Sequence, residues 1–272
     1  MVTNKKNLQQ QNQNQKAQPS VTPSGGMLQA DERNLLCVLG EKGGVGKSYF
    51  AHLLACYLLT GKLNTIIIDA DRANRTLRQL LSSLAEAKTA TITEDKEKYH
   101  DLDRVVEPFA DIDKPQTVLL DTPANAEQAL LYWLEHGGGA ETLDYLRVDT
   151  TALYVVTASA ESLAQFVSVR QQLKQIDRWV LVKNLYGRAT TADFDRLMSD
   201  KTIVSAKKRN SFCEMFLHEL RKPEIDLIRQ QKLPITKAIE QTNLCGKTRL
   251  LRYQRQFEAE LTAAFTEIVQ KK

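Results

Sequence analysis

Short apolar runs alternate with longer segments of helical periodicity from residue 34 onward. Each run is uninterrupted and at most six residues long, and several are rich in β-branched residues. Such runs are typical of strands buried on both faces of a parallel sheet. The five runs are Asn34–Leu39, Thr65–Asp69, Thr117–Asp121, Ala152–Val156 and Trp179–Val182. We therefore predict an α/β fold of the doubly wound kind, a parallel sheet with helices on both faces.

The segments between these runs carry the predicted helices. They span Ser48–Leu59, Arg72–Leu84, Ala126–Glu135, Ser162–Ile176 and, near the end of the chain, Leu250–Val269. Residues 85–113 are polar and are predicted to be irregular. From residue 211 onward helical patterns dominate, so we expect a helical C-terminal part after the sheet.

The first thirty residues differ in composition from the rest. Ten of the fifteen residues from Asn4 to Gln18 are Asn or Gln, and Pro, Ser and Gly follow. Such a segment buries too little apolar surface to offset the entropy lost on ordering. We predict a disordered Gln/Asn-rich tail over residues 1–30 and one folded domain over residues 31–272.

The net charge of +4 is unevenly distributed. Residues 201–272 contain 15 Lys and Arg against 8 Asp and Glu, whereas the preceding part is mildly acidic. A basic surface of this kind favours contact with a polyanion, but solvated helix faces also explain the charges.

Composition also indicates the compartment. No apolar run approaches the roughly 18–20 residues that a membrane-spanning helix needs, and the N-terminus lacks the apolar core of a secretory signal. The four cysteines are scattered, which is typical of a reducing cytosol rather than a disulfide scaffold or a zinc ribbon. We expect a cytoplasmic protein with no transmembrane segment.

A glycine-rich segment, Gly40–Ser48, carries the strongest chemical signal. It fits the pattern G-x-x-x-x-G-K-[ST] and stands between a predicted strand and a predicted helix. Glycines allow successive backbone N–H groups to converge on phosphate oxygens, and the helix adds the positive end of its dipole. Lys47 supplies a charge for the β- and γ-phosphates, and the Ser48 hydroxyl can bind Mg²⁺. The segment predicts a phosphate-binding loop.

Within this loop, the sequence Lys42-Gly43-Gly44-Val45-Gly46-Lys47-Ser48 resembles the deviant Walker A motif of the ParA/MinD family of ATPases, P-loop proteins of the SIMIBI class. The resemblance implies a P-loop NTPase fold with ATP and Mg²⁺ as ligands. It also implies an ATP-dependent homodimer in which Lys42 reaches the nucleotide of the partner subunit.

Three carboxylates follow predicted strands. Asp69 and Asp71 come at the end of the second strand, and Asp121 ends the third. The carboxyl ends of parallel strands form the ligand crevice of such sheets, where carboxylates can orient a Mg²⁺-bound or attacking water. The resemblance assigns the hydrolytic water to Asp71 and Mg²⁺ to Asp121, with Asp69 near the metal. Asp71 could instead cap the next helix.

Further contacts along the nucleotide are predicted, partly from side-chain chemistry and partly from the resemblance. Asn184 ends the fifth strand, and its carboxamide suits the edge of adenine. The later segment around Pro223 resembles a loop that lines adenine in relatives, and Thr122–Asn125 resembles a switch that senses the γ-phosphate. Tyr49 replaces the Thr or Ser that usually contacts the α-phosphate. The predicted nucleotide contacts are Gly43, Gly44, Val45, Gly46, Lys47, Ser48, Tyr49, Asn184 and Pro223. Catalysis is assigned to Lys42, Lys47 and Asp71, and metal binding to Ser48, Asp69 and Asp121.

Three functions remain open on the sequence. The first is an ATPase switch, slow and stimulated by a partner, that acts in plasmid partition or stability or in conjugative DNA transfer. Residues 69–76 resemble TraL- or StbB-type proteins of conjugative plasmids, so DNA or a DNA-bound or conjugation protein is the expected partner. The second is a nucleotide-dependent module that docks on a protein or membrane, with incidental hydrolysis. The acidic polar face of the stretch Leu250–Val269 instead favours core packing for that helix. The third, a ligase or kinase of the dethiobiotin-synthetase type, would not need Lys42.

Overall fold

The structure is a computed structural model that describes residues 32–40, 42–61, 63–72, 74–92, 96–111, 114, 116–209 and 212–270. The predicted tail over residues 1–30 lies outside the described residues.

A seven-stranded sheet forms the centre of the described part of the chain, and all of its pairings are parallel. The strands are β1 (Arg33–Leu39), β2 (Thr65–Asp69), β3 (Ala87–Thr89), β4 (Gln116–Asp121), β5 (Asp149–Val156), β6 (Arg178–Asn184) and β7 (Cys213–Leu217). Their order is β3-β2-β4-β1-β5-β6-β7, so β1 lies in the middle between β4 and β5. The parallel α/β prediction is confirmed.

Helices cover both faces of this sheet. They are α1 (Lys47–Thr60), α2 (Thr76–Leu81), α3 (Glu127–His136), α4 (Gly139–Tyr145), α5 (Ala160–Gln172), α6 (Thr191–Met198), α7 (Lys201–Arg209), α8 (Lys222–Gln231), α9 (Ile235–Gln241) and α10 (Leu244–Gln270). Short 3₁₀ helices span Lys96–Val105, Glu107–Phe109 and Tyr186–Arg188. In the described part of the chain, none of the helices is both long and apolar enough to span a membrane.

Alternate residues of the central strand enter two separate hydrophobic cores. Leu36 and Val38 face the core that contains α1, α2 and α8–α10, whereas Leu35 and Cys37 face the core on the other side, with α3–α7. The apolar face of α10 is buried in the first core through Leu250, Tyr253, Phe257, Leu261, Ala264 and Phe265. The prediction that this helix packs on the body of the protein is confirmed.

The structure departs from the predicted elements in three places. Residues 85–113 were expected to be irregular, but their described part contains β3 and two 3₁₀ helices. Helices dominate after residue 211, as predicted, but β7 adds an edge strand that was not predicted. The helix predicted over Arg72–Leu84 is only the six residues of α2, since Asp71 forms a turn with Asn74 before that helix begins. The two strands that were not predicted, β3 and β7, are short or half polar, and their hydrophobic pattern is too weak to distinguish them from loops.

Candidate nucleotide-binding site

The ends of three neighbouring strands bring the phosphate loop and two carboxylates together. The loop follows β1, and β4 pairs with β1 so that Asp121 lies opposite Val38. In the pairing of β2 with β4, Asp69 lies opposite Asp121. These three segments therefore meet at one edge of the sheet, as the order of the motifs along the chain predicted.

The phosphate loop has the backbone geometry that its glycines allow. Gly44 and Gly46 have φ angles of 81° and 102°, in the region that favours glycine. Gly46 is the N-cap of α1, and its carbonyl accepts a hydrogen bond of 2.9 Å from the backbone N–H of Phe50. Glu41, a variable position of the motif, lies outside the described residues. The loop therefore leads directly into the amino end of α1, where an anion is stabilised.

Lys47 lies folded along the inside of this loop. Its Nζ donates hydrogen bonds to the carbonyl oxygens of Gly40, at 2.9 Å, and Lys42, at 3.0 Å. Burial lowers the pKa of Lys47, and the charges of Asp121, Glu127 and Asp71 oppose that change. The ammonium is thus held at the base of the loop by weak acceptors that a phosphate can replace.

Asp121 is fully buried beside the loop. Among the described residues, no group forms a hydrogen bond of good geometry with either of its carboxylate oxygens. Burial raises the pKa of this carboxyl to about 7, while the Ser48 hydroxyl and the Lys47 ammonium act in the opposite direction. A buried carboxylate without a partner is costly, and a cation placed next to it removes that cost.

The donor set fits a magnesium ion that arrives with a nucleotide. Oxygen ligands are those that Mg²⁺ prefers, and it commonly takes one or two from the protein and the remainder from phosphates and water. Ser48 and Asp121 supply such oxygens. No group of three or more His, Cys, Asp or Glu side chains that could hold a metal occurs in the described residues. The site therefore suits a metal shared with phosphates rather than one held by protein alone.

Asp69 and Asp71 have different surroundings. The oxygens of Asp69 accept hydrogen bonds from the backbone N–H groups of Asp71, at 3.1 Å, and Arg78, at 2.9 Å. Asp69 thus caps the first turn of α2, and burial raises its pKa. Asp71 accepts from the backbone and side chain of Asn74, at 3.2 and 3.1 Å, and lines the large cavity described next. The helix cap that the sequence allowed for Asp71 is therefore made by Asp69.

A cavity of about 670 Å³ lies over the phosphate loop, between the turn before α2 and the helix α8. A smaller one of about 110 Å³ adjoins it at the ends of β6 and β7. The large cavity is lined by Gly43, Gly44, Gly46, Lys47, Ser48, Tyr49, Asp71, Asn74, Thr76, Gln79, Leu80, Pro123, Ala124, Ile225, Ile228, Arg229 and Lys232. The small cavity is lined by Gly44, Gly46, Tyr49, Asn184, Tyr186, His218, Glu219, Leu220, Ile225 and Arg229.

The predicted base contacts are only partly at these cavities. Asn184 lines the small one, but its carboxamide is already bonded to backbone atoms. Pro223 is exposed in the first turn of α8 and lines neither cavity, whereas Ile225 and Arg229, further along that helix, line both. Sequence reasoning missed these two residues. Because they are four residues apart, they lie on the same face of α8, and they could have been grouped if α8 had been predicted as a separate helix.

Tyr49 lies at the junction of the two cavities. Burial raises the pKa of its phenol, and nearby Tyr253 and Arg229 oppose the rise. The predicted departure from the Thr or Ser of relatives therefore places a bulky aromatic group, rather than a small hydroxyl, next to the loop.

Lys42 lies outside the lining of both cavities as far as the described residues define them. Its Nζ forms an ion pair of 2.7 Å with Glu161, in the first turn of α5. Both side chains are more than half exposed, at 54% and 70%. Lys42 is thus on the surface, whereas Lys47 contacts the backbone of the chain's own loop.

Comparisons with known proteins agree with this geometry. Residues 36–199 match the sequence model of the family described as the CobQ/CobB/MinD/ParA nucleotide-binding domain. That match spans more than half of the chain, so the chain belongs to this family of nucleotide-binding proteins, whose ParA and MinD members are ATPases.

Solved structures show the same fold. The MinD cell division protein of Aquifex aeolicus is 18% identical, with a TM-score of 0.51 over 84% of this chain and 97% of that protein. A variant of McdA from Cyanothece in complex with ATP is 12% identical, with a TM-score of 0.50 over 86% of this chain and 96% of that protein. No curated protein matches the chain. At these identities the similarity establishes the fold alone.

Proposed function

We propose that this protein is a molecular switch that binds ATP with Mg²⁺, dimerises in that state and returns to the monomer after hydrolysis. The observation that carries the proposal is the buried carboxylate of Asp121 beside Ser48 at the amino end of α1, whose oxygens have no hydrogen bond of good geometry among the described residues. Such a carboxylate next to a phosphate-binding loop is explained by a cation that binds together with a polyphosphate.

The residues predicted to bind phosphate and metal, and the predicted catalytic Asp71, each have a proposed role. The backbone of residues 43–49 holds the phosphates, Lys47 moves from the loop carbonyls to the β- and γ-phosphates, and Ser48 and Asp121 hold Mg²⁺. The metal supplies charge neutralisation of the phosphate oxygens. Asp71 orients the attacking water, a role supported by its place in the cavity wall. Asp69 acts through the backbone that it caps and keeps Asp71 in position.

Dimerisation through Lys42 is supported by the position of its side chain. The ammonium lies on the surface, outside the chain's own cavity, and its partner Glu161 is exposed. An exposed ion pair of this kind is weak, so a partner's phosphate can replace it. We infer that ATP bound in one subunit is neutralised by Lys42 of the other.

We further propose that the switch acts on plasmid DNA in partition or conjugation, in the cytoplasm, with slow hydrolysis that a partner stimulates. The basic residues of the C-terminal part support contact with DNA only as two separate groups. Lys207 is paired with Glu214, and Arg249 is paired with Glu224 at 2.6 Å. The exposed cations of these two helices include Lys201 and Lys208 on α7, and Arg252 and Arg255 on α10. Because α7 and α10 cover opposite faces of the sheet, either group forms its own contact.

The proposal is tested by binding, turnover and sedimentation measurements on the wild type and three variants. We expect Lys47→Ala to abolish Mg²⁺-ATP binding and Asp121→Asn to remove the dependence of binding on Mg²⁺. Asp71→Ala should bind ATP, fail to hydrolyse it and accumulate as a dimer. A matched control is Lys222→Ala, an exposed lysine outside both cavities.

Two results would contradict the proposal. The first is a wild type that binds no Mg²⁺-ATP at millimolar concentration, and the second is unchanged binding in Lys47→Ala. The DNA partner is tested separately. Turnover should rise with added duplex DNA, and that effect should fall steeply with salt concentration because phosphate contacts release counterions.

A further inference from the structure

Asn184, the last residue of β6, connects that strand to the phosphate loop. Its Nδ2 donates a hydrogen bond of 2.7 Å to the carbonyl oxygen of Val45, 139 residues earlier in the chain. Its Oδ1 accepts a hydrogen bond of 3.1 Å from the backbone N–H of Tyr186. The side chain is buried, with 7% of its surface exposed. Both ends of the carboxamide are therefore bonded to backbone groups.

These two partners determine which way the carboxamide is oriented. A carbonyl oxygen can only accept and a backbone N–H can only donate, so the NH₂ group must face Val45 and the oxygen must face Tyr186. The loop is also packed closely on this side chain, because a Cβ added to Gly46 would lie 2.6 Å from Nδ2. The carboxamide and the loop thus fit one another in a single arrangement.

The bond to Val45 has a direct effect on the next amide. The carbonyl of Val45 and the N–H of Gly46 belong to one planar trans peptide, in which they point in opposite directions. When Asn184 holds the carbonyl oxygen on its own side, the N–H of Gly46 is directed away from Asn184. Gly46 lines both cavities, on the side where the phosphates are proposed to bind.

We propose that Asn184 is a positioning residue of the phosphate loop: it orients the Val45–Gly46 peptide for the polyphosphate and does not select the base. This inference rests on the proposed nucleotide site and changes the role that sequence reasoning assigned to Asn184. The base end of the ligand then meets the other residues of the small cavity, among which Tyr186 is 60% exposed.

The test compares ligands that share the phosphates but differ in the base. Binding of Mg²⁺-ATP, Mg²⁺-GTP and magnesium inorganic triphosphate is measured by calorimetry for the wild type, Asn184→Ala and Asn184→Asp. Loss of the hydrogen bond leaves the loop peptide free to rotate. We therefore expect Asn184→Ala to lower the affinity for all three ligands by the same factor, about 5- to 100-fold. Tyr186→Ala provides the contrast, since it should weaken the nucleotides and leave inorganic triphosphate unchanged.

Asn184→Asp guards against a variant that simply fails to fold. It preserves the shape of the side chain but presents no donor to Val45, and the buried carboxylate facing a carbonyl oxygen should lower the melting temperature. Measured below that melting temperature, the folded variant should still bind inorganic triphosphate more weakly than the wild type. Hydrogen exchange at the Gly46 amide in the ligand-free protein should be faster in both variants.

Several results are decisive. If Asn184→Ala loses affinity for ATP but keeps its affinity for inorganic triphosphate, Asn184 contacts the base and the inference is overturned. Unchanged affinity for all three ligands would also overturn it. A wild type that binds none of the three ligands would instead remove the proposed function itself.

Discussion

The ion pair between Lys42 and Glu161 opposes the dimer if Lys42 has to leave it to reach a partner's nucleotide. Replacing Glu161 by Gln removes the charge while keeping the size of the side chain. We therefore expect Glu161→Gln to dimerise more tightly than the wild type in the presence of ATP, because Lys42 then moves without breaking the ion pair with Glu161.

The size of the effect follows from exposure. The nitrogen and oxygen are 2.7 Å apart, but the two side chains are 54% and 70% exposed, so water and salt screen the pair. Exposed pairs of this kind contribute about 0.2–1 kcal/mol each. A symmetric dimer breaks two of them, or about 0.4–2 kcal/mol, which corresponds to a dimer constant about 2- to 30-fold tighter.

Sedimentation velocity with Mg²⁺-ATP measures the dimer constant directly, in an Asp71→Ala background that we expect to prevent turnover during the run. Glu141→Gln on α4 is the matched control, since it makes the same change in net charge at another exposed position. The difference between Glu161→Gln and this control should shrink as salt rises. A Glu161→Gln dimer no tighter than the control, or weaker than the wild type, would refute the reasoning.

Two further predictions concern α8 and α1. Arg229→Ala should weaken Mg²⁺-ATP binding by up to about 10-fold, because Arg229 lines both cavities. Lys222→Ala on the same helix should leave binding unchanged, and equal calorimetric affinities for the two variants would contradict this. His52 is fully buried, its Nε2 accepts from the N–H of Ile235 at 3.1 Å, and burial lowers its pKa to about 4. Since the unfolded histidine titrates near 6.5, the unfolded state binds the extra proton, and stability should fall by about 3 kcal/mol between pH 6.5 and 4. Urea unfolding should show this component in the wild type and not in His52→Gln, and identical pH profiles would exclude it.

Sequence patterns predicted the strands that are marked by a continuous run of apolar residues. The five apolar runs lie within β1, β2, β4, β5 and β6, because a strand buried on both faces needs continuous apolar residues. The three residues of β3 are too few to show a period. In β7 a buried face alternates with Glu214 and Phe216, and Glu214 is partnered by Lys183 at 2.9 Å, a contact that no local pattern contains.

In the candidate site, too, the residues of a contiguous motif could be predicted and the tertiary contacts could not. The loop Gly40–Ser48 is contiguous, so its motif could be read directly, and the order of the strands brought Asp121 to it. The partners of Asn184 could not be predicted, because the side chain type suits either a base or a backbone carbonyl. The contribution of Arg229 depends on how α8 is placed over the loop, which is a matter of tertiary packing rather than of sequence spacing.

The boundary of the family match divides the binding cleft itself. The matched region ends at residue 199, yet one wall of both cavities comes from α8, and His218–Leu220 close the smaller one. The family model therefore describes the half of the cleft that carries the phosphate loop. The opposite half lies beyond the matched residues, so the family match by itself places no constraint on which ligand that wall accepts.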